Sequence, residues 1–339
     1  MEKNIAILMG GYSNEYKISL KSGKVVFETL KNSNFNCFQI HILKDRWVYV
    51  DSDRKEFQID KNSFTIIKKP KIKFDCVFNA VHGSPGEDGL LHQYFSKLNI
   101  PMSGCGEFQA KLTFDKIQCL EYLKPHGIKC AKSSIVSKGE EIDNNSIIKN
   151  VGLPCFIKAS KSGSSYGITK VSRIEDFDKA IAIAFNEGNQ VIVESFLDGI
   201  EISVGVISYD NDILVLPITE IVTDNDFFDY NATYKGEADE ITPARISYQM
   251  TLRIKSIAKK MYEILDMKGF SRSEFIIQND EVFLLEVNSV PGLTNESILP
   301  KQANAAGIEL KDFSLEKYKE FKTYKRRLKN GFNDVEFQL

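Results

Sequence analysis

The six cysteines, Cys37, Cys76, Cys105, Cys119, Cys130 and Cys155, include no CxxC pair. That spacing argues against a zinc site or a disulfide framework and for reduced thiols in a cytoplasm. No apolar run is long enough to span a bilayer, and the run Ile5 to Met9 is too short for a signal-peptide core and ends in Gly10-Gly11. It reads as a first strand, and no membrane association is expected. Neither sign of charge dominates: 44 Lys+Arg against 46 Asp+Glu leave a formal net charge of -2, which gives no general attraction for nucleic acid. Phosphate binding must therefore be local. The basic cluster Lys325-Arg326-Arg327 reads as the solvated face of a helix capped by Ser314, with Leu315, Tyr318, Phe321, Tyr324 and Leu328 at helical spacing. Internal repeats, low-complexity tracts and the Walker order G-x-x-x-x-G-K-[ST] are all missing.

What is present is an ordinary globular composition, 42% hydrophobic and 27% charged over 339 residues, enough for two or three domains. Strand and helix signals alternate at first: strand Ile5 to Met9, an amphipathic helix from about Glu15 to Leu30, strands Phe38 to Leu43 and Asp75 to Ala80. This predicts an α/β unit with a parallel sheet over 1–103, whose ligand loops, Gly10-Gly11-Tyr12-Ser13 and His82 to Gly89, lie at strand carboxyl ends. A small central unit over 104–200 begins with helical Phe114 to Leu123. A third, over 201–339, is α+β, with the long helix Tyr248 to Leu265. Ser133 to Val136 reads as an extended segment, and from about Val151 antiparallel signals follow: Cys155 to Lys158, Ile168 to Val171, Val191 to Ser195, Glu201 to Ile207 and Ile213 to Ile218.

The densest chemistry lies in Phe270 to Gly292. Arg272 and Glu274 share a face of one strand, Glu286 and Asn288 a face of the next, and only a few polar residues separate the two. Two carboxylates, an amide oxygen and a guanidinium gathered in a hairpin suit hard divalent cations and a phosphoryl group, although an exposed hairpin face can carry the same charges. A two-residue turn at Asn279-Asp280 would set Glu274 opposite Leu285 and split the carboxylates between faces. The sequence therefore predicts a three-residue connection, Asn279-Asp280-Glu281, or an equivalent bulge, pairing Gln278 with Val282 and Glu274 with Glu286. Lys158 ends an apolar strand before the small-residue loop Ser160 to Gly167, which can fold its N–H groups over phosphates; alone, a hairpin turn explains that loop equally well. Glu194 closes a buried strand where backbone can meet an adenine edge. Glu201, shortly after, reads as a ribose ligand or a surface glutamate.

These stretches belong to an ordered set: Glu15 in Ser13-Asn14-Glu15-Tyr16-Lys17-Ile18-Ser19, His82-Gly83-x-x-Gly86-Glu87-Asp88-Gly89, Asp115-Lys116, Gly152-Leu153-Pro154-x-x-x-Lys158, Gly163-Ser164-Ser165-x-Gly167, Glu194-x-Phe196, Phe228-Asp229-Tyr230-x-Ala232-x-Tyr234, Pro243-Ala244, and Leu285-Glu286-Val287-Asn288-x-x-Pro291-Gly292-x-Thr294. From about Asn4 to about Lys311 the chain resembles the D-alanine–D-alanine ligase family of ATP-grasp enzymes. The resemblance implies an ATP-grasp fold and ligation of two D-alanines through an acyl phosphate for the peptidoglycan precursor. It implies ATP with Lys116 and Lys158 on the phosphates, Ser165 in the loop beside them, Glu194 and Leu197 near adenine and Glu201 on the ribose. Two Mg²⁺ ions, with Mn²⁺ as a substitute, would be held by Glu274, Glu286 and Asn288. Arg272 and the Gly292 N–H would stabilise the tetrahedral oxyanion. Glu15 would bind the first ammonium, linked through Ser164 to Tyr234; His82 would lie near the second substrate and Ser297 would take its carboxylate. A homodimer is implied as well.

The chain departs from the family's usual pattern at three places. Glu274 stands where aspartate is usual, Ala159 follows Lys158 in place of proline, and Thr233 precedes Tyr234 where lysine is usual, with Lys235 after it. Lys235 is expected to turn toward the γ-phosphate, helped by Gly236, when the loop Asp224 to Glu240 closes with Tyr234 inside. These changes leave open a related ligase using D-serine or D-lactate as second substrate, and a nucleotide-binding regulator without catalysis.

Overall fold

The structure is a computed structural model, and it describes residues 3–68, 71–163, 166–210, 212–223 and 238–311. The first unit comprises β1 (Lys3–Gly10), α1 (Tyr16–Leu30), β2 (Phe35–Ile42), β3 (Trp47–Val50), β4 (Glu56–Asp60), β5 (Thr65–Ile66), β6 (Ile72–Lys73) and β7 (Cys76–Asn79). Strands β2, β1 and β7 pair in parallel, as the alternating signals predict. Beyond β2 the sheet continues antiparallel through β3, β4, β5 and β6, so it is mixed, in the order β6-β5-β4-β3-β2-β1-β7. The extension buries Trp47, Ile59, Phe64 and Ile66 with Phe95. These short strands of aromatic and β-branched residues lack the long apolar run of β1, so no periodic signal marks them in the sequence. At the end of β1, Gly10 has φ 101°, a left-handed backbone that lets the chain leave the sheet toward Glu15 at the head of α1.

Next come α2 (Leu90–Lys97), α3 (Glu107–Phe114) and α4 (Lys116–Leu123). The predicted helix Phe114 to Leu123 is divided at Asp115, whose extended backbone ends α3 and whose carboxylate caps α4 by accepting from the Gln118 N–H. A four-stranded antiparallel sheet follows, β10-β9-β11-β8, built from β8 (Ser133–Ser137), β9 (Cys155–Ala159), β10 (Thr169–Val171) and β11 (Gln190–Ser195), with α5 (Asn144–Val151) and α6 (Phe177–Ala184). Its apolar face, with Ile157, Val191 and Val193 fully buried, packs on Phe177 and Ile181. Burial of such a side chain typically contributes about 1.5–3 kcal/mol.

The last sheet runs β15-β14-β12-β16-β17, with β13 also on β12: β12 (Ile200–Tyr209), β13 (Asp212–Val215), β14 (Thr219–Thr223), β15 (Ala238–Ile241), α7 (Tyr248–Ile264), β16 (Phe270–Gln278), β17 (Glu281–Asn288) and α8 (Ile298–Ala305). One core joins this sheet to α4 and α7 through Leu120, Leu123, Val204, Met261 and Phe275. Helix α4 is thereby seated against β17, and the Leu284 N–H reaches the Lys129 carbonyl at 2.8 Å. The C-terminal helix expected from Ser314, and Ser164, Ser165, Thr233, Tyr234 and Lys235, lie outside the described residues.

Candidate active site

The β16–β17 hairpin corrects one expectation. Asn279 and Asp280 take left-handed φ values of 51° and 61° and form a two-residue turn, with Gln278 opposite Glu281 instead of Val282. Such a turn matches strand twist, and Asn and Asp tolerate its geometry. The register then shifts between Phe275 and Glu274: Phe275 faces Leu284, Glu274 faces Glu286, and Leu285 is the extra residue of a bulge. The inward phase moves with it, since Val282, Leu284 and Val287 are buried while Leu285, Glu286 and Asn288 line one cavity. The predicted pairing of the two carboxylates is present, reached by the bulge.

That cavity, of about 610 Å³, lies between the four-stranded and last sheets and is closed on one side by loops of the first unit. At its centre Arg272 Nη2 donates to Glu274 Oε1 at 2.5 Å, Lys116 Nζ stands 3.0 Å from Glu286 Oε2, and Asn288 Nδ2 donates to Glu286 Oε1 at 3.2 Å. Burial works to raise the Glu286 carboxyl, but Lys116 and then Lys158 outweigh it and hold it at about 2. Glu274 is raised instead, by burial first and by the Glu286 charge against the pull of Arg272. For Lys116, burial favours the neutral amine, yet Glu286 and Glu274 keep its ammonium above the ordinary value. Position follows from the fold: Asp115 caps α4, and Lys116 at its first turn reaches both Glu286 and the Ser162 carbonyl, 2.6 Å away. The Asp115 carboxylate also accepts from the Ser160 hydroxyl, which stitches α4 to the loop after β9.

Toward the other end, Lys158 pairs with Glu194 at 2.6 Å, the two sitting diagonally on neighbouring strands β9 and β11. Phe156, Leu197, Ile276 and Leu285 give this part of the cavity apolar walls beside polar edges, the composition of a site for a flat heterocycle. Glu201 lines it too, its carboxyl pushed up to about 8 by burial and by the charges of Glu274 and Glu286.

On the side of the first unit, a Cβ at Gly163 would stand 2.7 Å from the Glu15 carboxylate, so a larger residue there would displace that side chain. His82, Gly292 and Ser297 line the same space, and the Ser297 hydroxyl lies 2.8 Å from Thr294 Oγ1. Every described residue expected from the sequence, namely Glu15, His82, Lys116, Lys158, Glu194, Leu197, Glu201, Arg272, Glu274, Glu286, Asn288, Gly292 and Ser297, faces this cavity. Two further residues were not assigned from sequence. Glu87 lines it with a carboxyl raised to about 8, by burial and by Glu15; the spacing His82-x-x-x-x-Glu87 was its signal. Leu285 is there through the bulge, which strict alternation conceals.

The donors at the centre are all oxygens, Glu274, Glu286 and the Asn288 amide, and fit Mg²⁺ rather than a soft metal. Among the described residues no three His, Cys, Asp or Glu side chains form a metal group by themselves.

Two family models cover most of the chain: D-ala D-ala ligase N-terminus over residues 4–105 and D-ala D-ala ligase C-terminus over 122–315. A D-alanine--D-alanine ligase of Flavobacterium johnsoniae is 57% identical over 311 residues, spanning 91% of this chain and 96% of that one. Among solved structures, D-alanyl-alanine synthetase A from Vibrio cholerae superposes with a TM-score of 0.85 at 24% identity, covering 94% and 98% of the two chains, which gives the ATP-grasp fold. The VanG D-Ala:D-Ser ligase from Enterococcus faecalis has a TM-score of 0.81 at 29% identity, over 95% and 100%. The chain therefore belongs to the D-alanine–D-alanine ligase family.

Proposed function

We propose that the protein is a cytoplasmic enzyme that joins two D-alanines, with ATP converted to ADP and phosphate, for the peptidoglycan precursor. The observation that supports this most is the single cavity holding Glu15 at one end, the Lys158–Glu194 pair at the other and Glu274, Glu286 and Arg272 between them. In this reading Lys116 and Lys158 hold the nucleotide phosphates, Glu194 and Leu197 border the adenine, and Glu201 binds the ribose. Glu274, Glu286 and Asn288 would hold Mg²⁺, which offsets phosphate charge when bound. Glu15 fixes the ammonium of the first D-alanine, so that its carboxylate attacks the γ-phosphorus and becomes an acyl phosphate while ADP leaves. The amine of the second D-alanine, its carboxylate near Ser297, adds to that carbonyl. Arg272 and the Gly292 N–H stabilise the oxyanion, a contribution of about 3 kcal/mol per donor. Collapse expels phosphate and leaves the amide. Ser164, Ser165, Tyr234 and Lys235 are proposed to complete the loops over the substrates.

Phosphate release by purified protein is expected only with ATP, Mg²⁺ and D-alanine together, giving ADP and the dipeptide. Release that is equal with no amino acid, or that occurs only with L-amino acids, overturns the proposal. Faster release when D-serine or D-lactate is added to D-alanine would reassign the acceptor.

A further inference from the structure

His82 has both ring nitrogens engaged by protein. Nδ1 lies 2.9 Å from the Val290 carbonyl, and Nε2 lies 3.0 Å from the Ser22 hydroxyl. A carbonyl only accepts, so Nδ1 carries the proton and Nε2 accepts from Ser22. Ser22, on α1, also accepts from the Leu293 N–H at 3.3 Å. The Glu87 carboxyl takes the Gly83 N–H at 2.7 Å and so braces the backbone next to His82. The gripping loop is itself closed, with the Gly86 and Glu87 N–H groups on the Gly83 carbonyl at 2.8 and 2.9 Å. The first unit thus holds Val290 by its carbonyl and Leu293 by its N–H. Between these points lies Pro291-Gly292.

Resting on the proposed function, we infer that His82, Glu87 and Ser22 are positioning residues whose task is to aim the Gly292 N–H at the oxyanion formed when the second D-alanine attacks. His82 is neutral in this arrangement, since burial lowers its pKa. A ring with both nitrogens committed has no hydrogen bond to give a substrate, so its contribution passes through the loop. An oxyanion donor acts in the second half-reaction only; loss of its aim leaves acyl phosphate formation untouched.

The test compares His82→Ala, His82→Asn, His82→Gln and Ser22→Ala in the full chain, each checked for folding by thermal melt. Turnover is measured against ATP and D-alanine, and the first half-reaction separately by D-alanine-dependent scrambling of oxygen-18 from the β,γ-bridge of ATP. His82→Ala is expected to lower kcat about tenfold, short of the roughly hundredfold that loss of an oxyanion donor itself costs, with both KM values and scrambling kept. The Asn amide occupies the Nδ1 position and that of Gln the Nε2 position, so His82→Asn should recover turnover and His82→Gln should not. Should His82→Ala fail to fold, Ser22→Ala carries the same expectation at a few-fold loss. A raised D-alanine KM with kcat kept would make His82 a substrate ligand. Scrambling that falls with turnover, or Gln rescuing as well as Asn, overturns the inference. Wild-type protein that shows no D-alanine-dependent phosphate release would instead overturn the ligase reading itself.

Discussion

Replacing Glu286 by glutamine tests the centre of the site, because it changes charge while keeping shape. The carboxyl is held near 2 against an ordinary 4.5, chiefly because Lys116 and Lys158 outweigh burial. At about 1.4 kcal/mol per unit, the ionised group contributes on the order of 3 kcal/mol to folding at neutral pH. Part of this returns in the variant, since Glu274 and Glu201 are both raised by the Glu286 charge and would be relieved. A loss of about 1–3 kcal/mol is therefore expected in denaturant unfolding of the free protein, more than volume alone suggests. Because the folded pKa is depressed, this stability is full above about 4.5 and vanishes as pH falls toward 2, so wild type and variant should converge in acid. Turnover at ordinary Mg²⁺ should be lost. Near-normal turnover in the variant would refute the metal role, and a stability gap that stays constant from pH 6 to pH 3 would refute the ion pair.

Deleting Leu285 should leave Phe275 opposite Leu284 and Glu274 opposite Glu286, because the bulge alone is removed; a folded protein with raised ATP KM is expected, and loss of the fold on circular dichroism would show that the bulge is needed for more than register. Glu87, raised to about 8 by burial and by Glu15, favours folding fully below about 4.5 and loses that effect as pH rises to 8. Melting temperatures of the free protein from pH 5 to pH 8 should accordingly fall more steeply for wild type than for Glu87→Gln, and parallel curves would refute the raised carboxyl. For Lys235, alanine substitution should cost about tenfold in turnover, roughly 1.4 kcal/mol, with recovery when Thr233→Lys is added. An unchanged rate for Lys235→Ala removes it from the site.

Much of this architecture was legible because its strands are apolar runs near glycine: β1, β9, β11 and the β16–β17 pair fall where periodicity puts them. Strands β3 to β6 were not, since each is short and its side chains find partners only once the sheet exists. Asp115 shows a second limit. It sits inside an apparently continuous helical pattern, and only its extended backbone and cap to Gln118 divide α3 from α4. The site was legible as residue types in order, and the hairpin arithmetic correctly required Glu274 to face Glu286. The means differed, because turn chemistry at Asn279-Asp280 and strand phase at Leu285 are separate local choices that meet only in the folded ladder. His82 illustrates what a sequence conceals most: its partners, Ser22 and Val290, are 60 and 208 residues away.

The near-neutral chain hides a strongly acidic cavity. Among the described residues ten Asp and Glu side chains line it, from Glu15 to Glu296, against the three cations Lys116, Lys158 and Arg272, with Arg245 on Glu220 and Lys301 on Glu240 beyond the lining. All three cations lie against acids: Lys116 on Glu286, Lys158 on Glu194 and Arg272 on Glu274. Burial first, and then neighbouring acids, raises the carboxyls of Glu87, Glu201 and Glu274. A triphosphate entering alone would add like charge to this field at low dielectric, where repulsion between unit charges about 4 Å apart amounts to roughly 4 kcal/mol even at an effective dielectric of 20. In the proposed function divalent cations would reverse the sign of that interaction, turning Glu274 and Glu286 from repellents into ligands. Equilibrium dialysis should thus find ATP bound at least about a hundredfold more weakly in EDTA than in Mg²⁺, equivalent to roughly 2.7 kcal/mol. Glu274→Gln combined with Glu286→Gln should narrow the difference from both ends, by improving metal-free binding and weakening the Mg²⁺-supported kind. Equal ATP affinity with and without divalent cation would mean that the acids do not face the phosphates, and the nucleotide would have to lie elsewhere in the cavity.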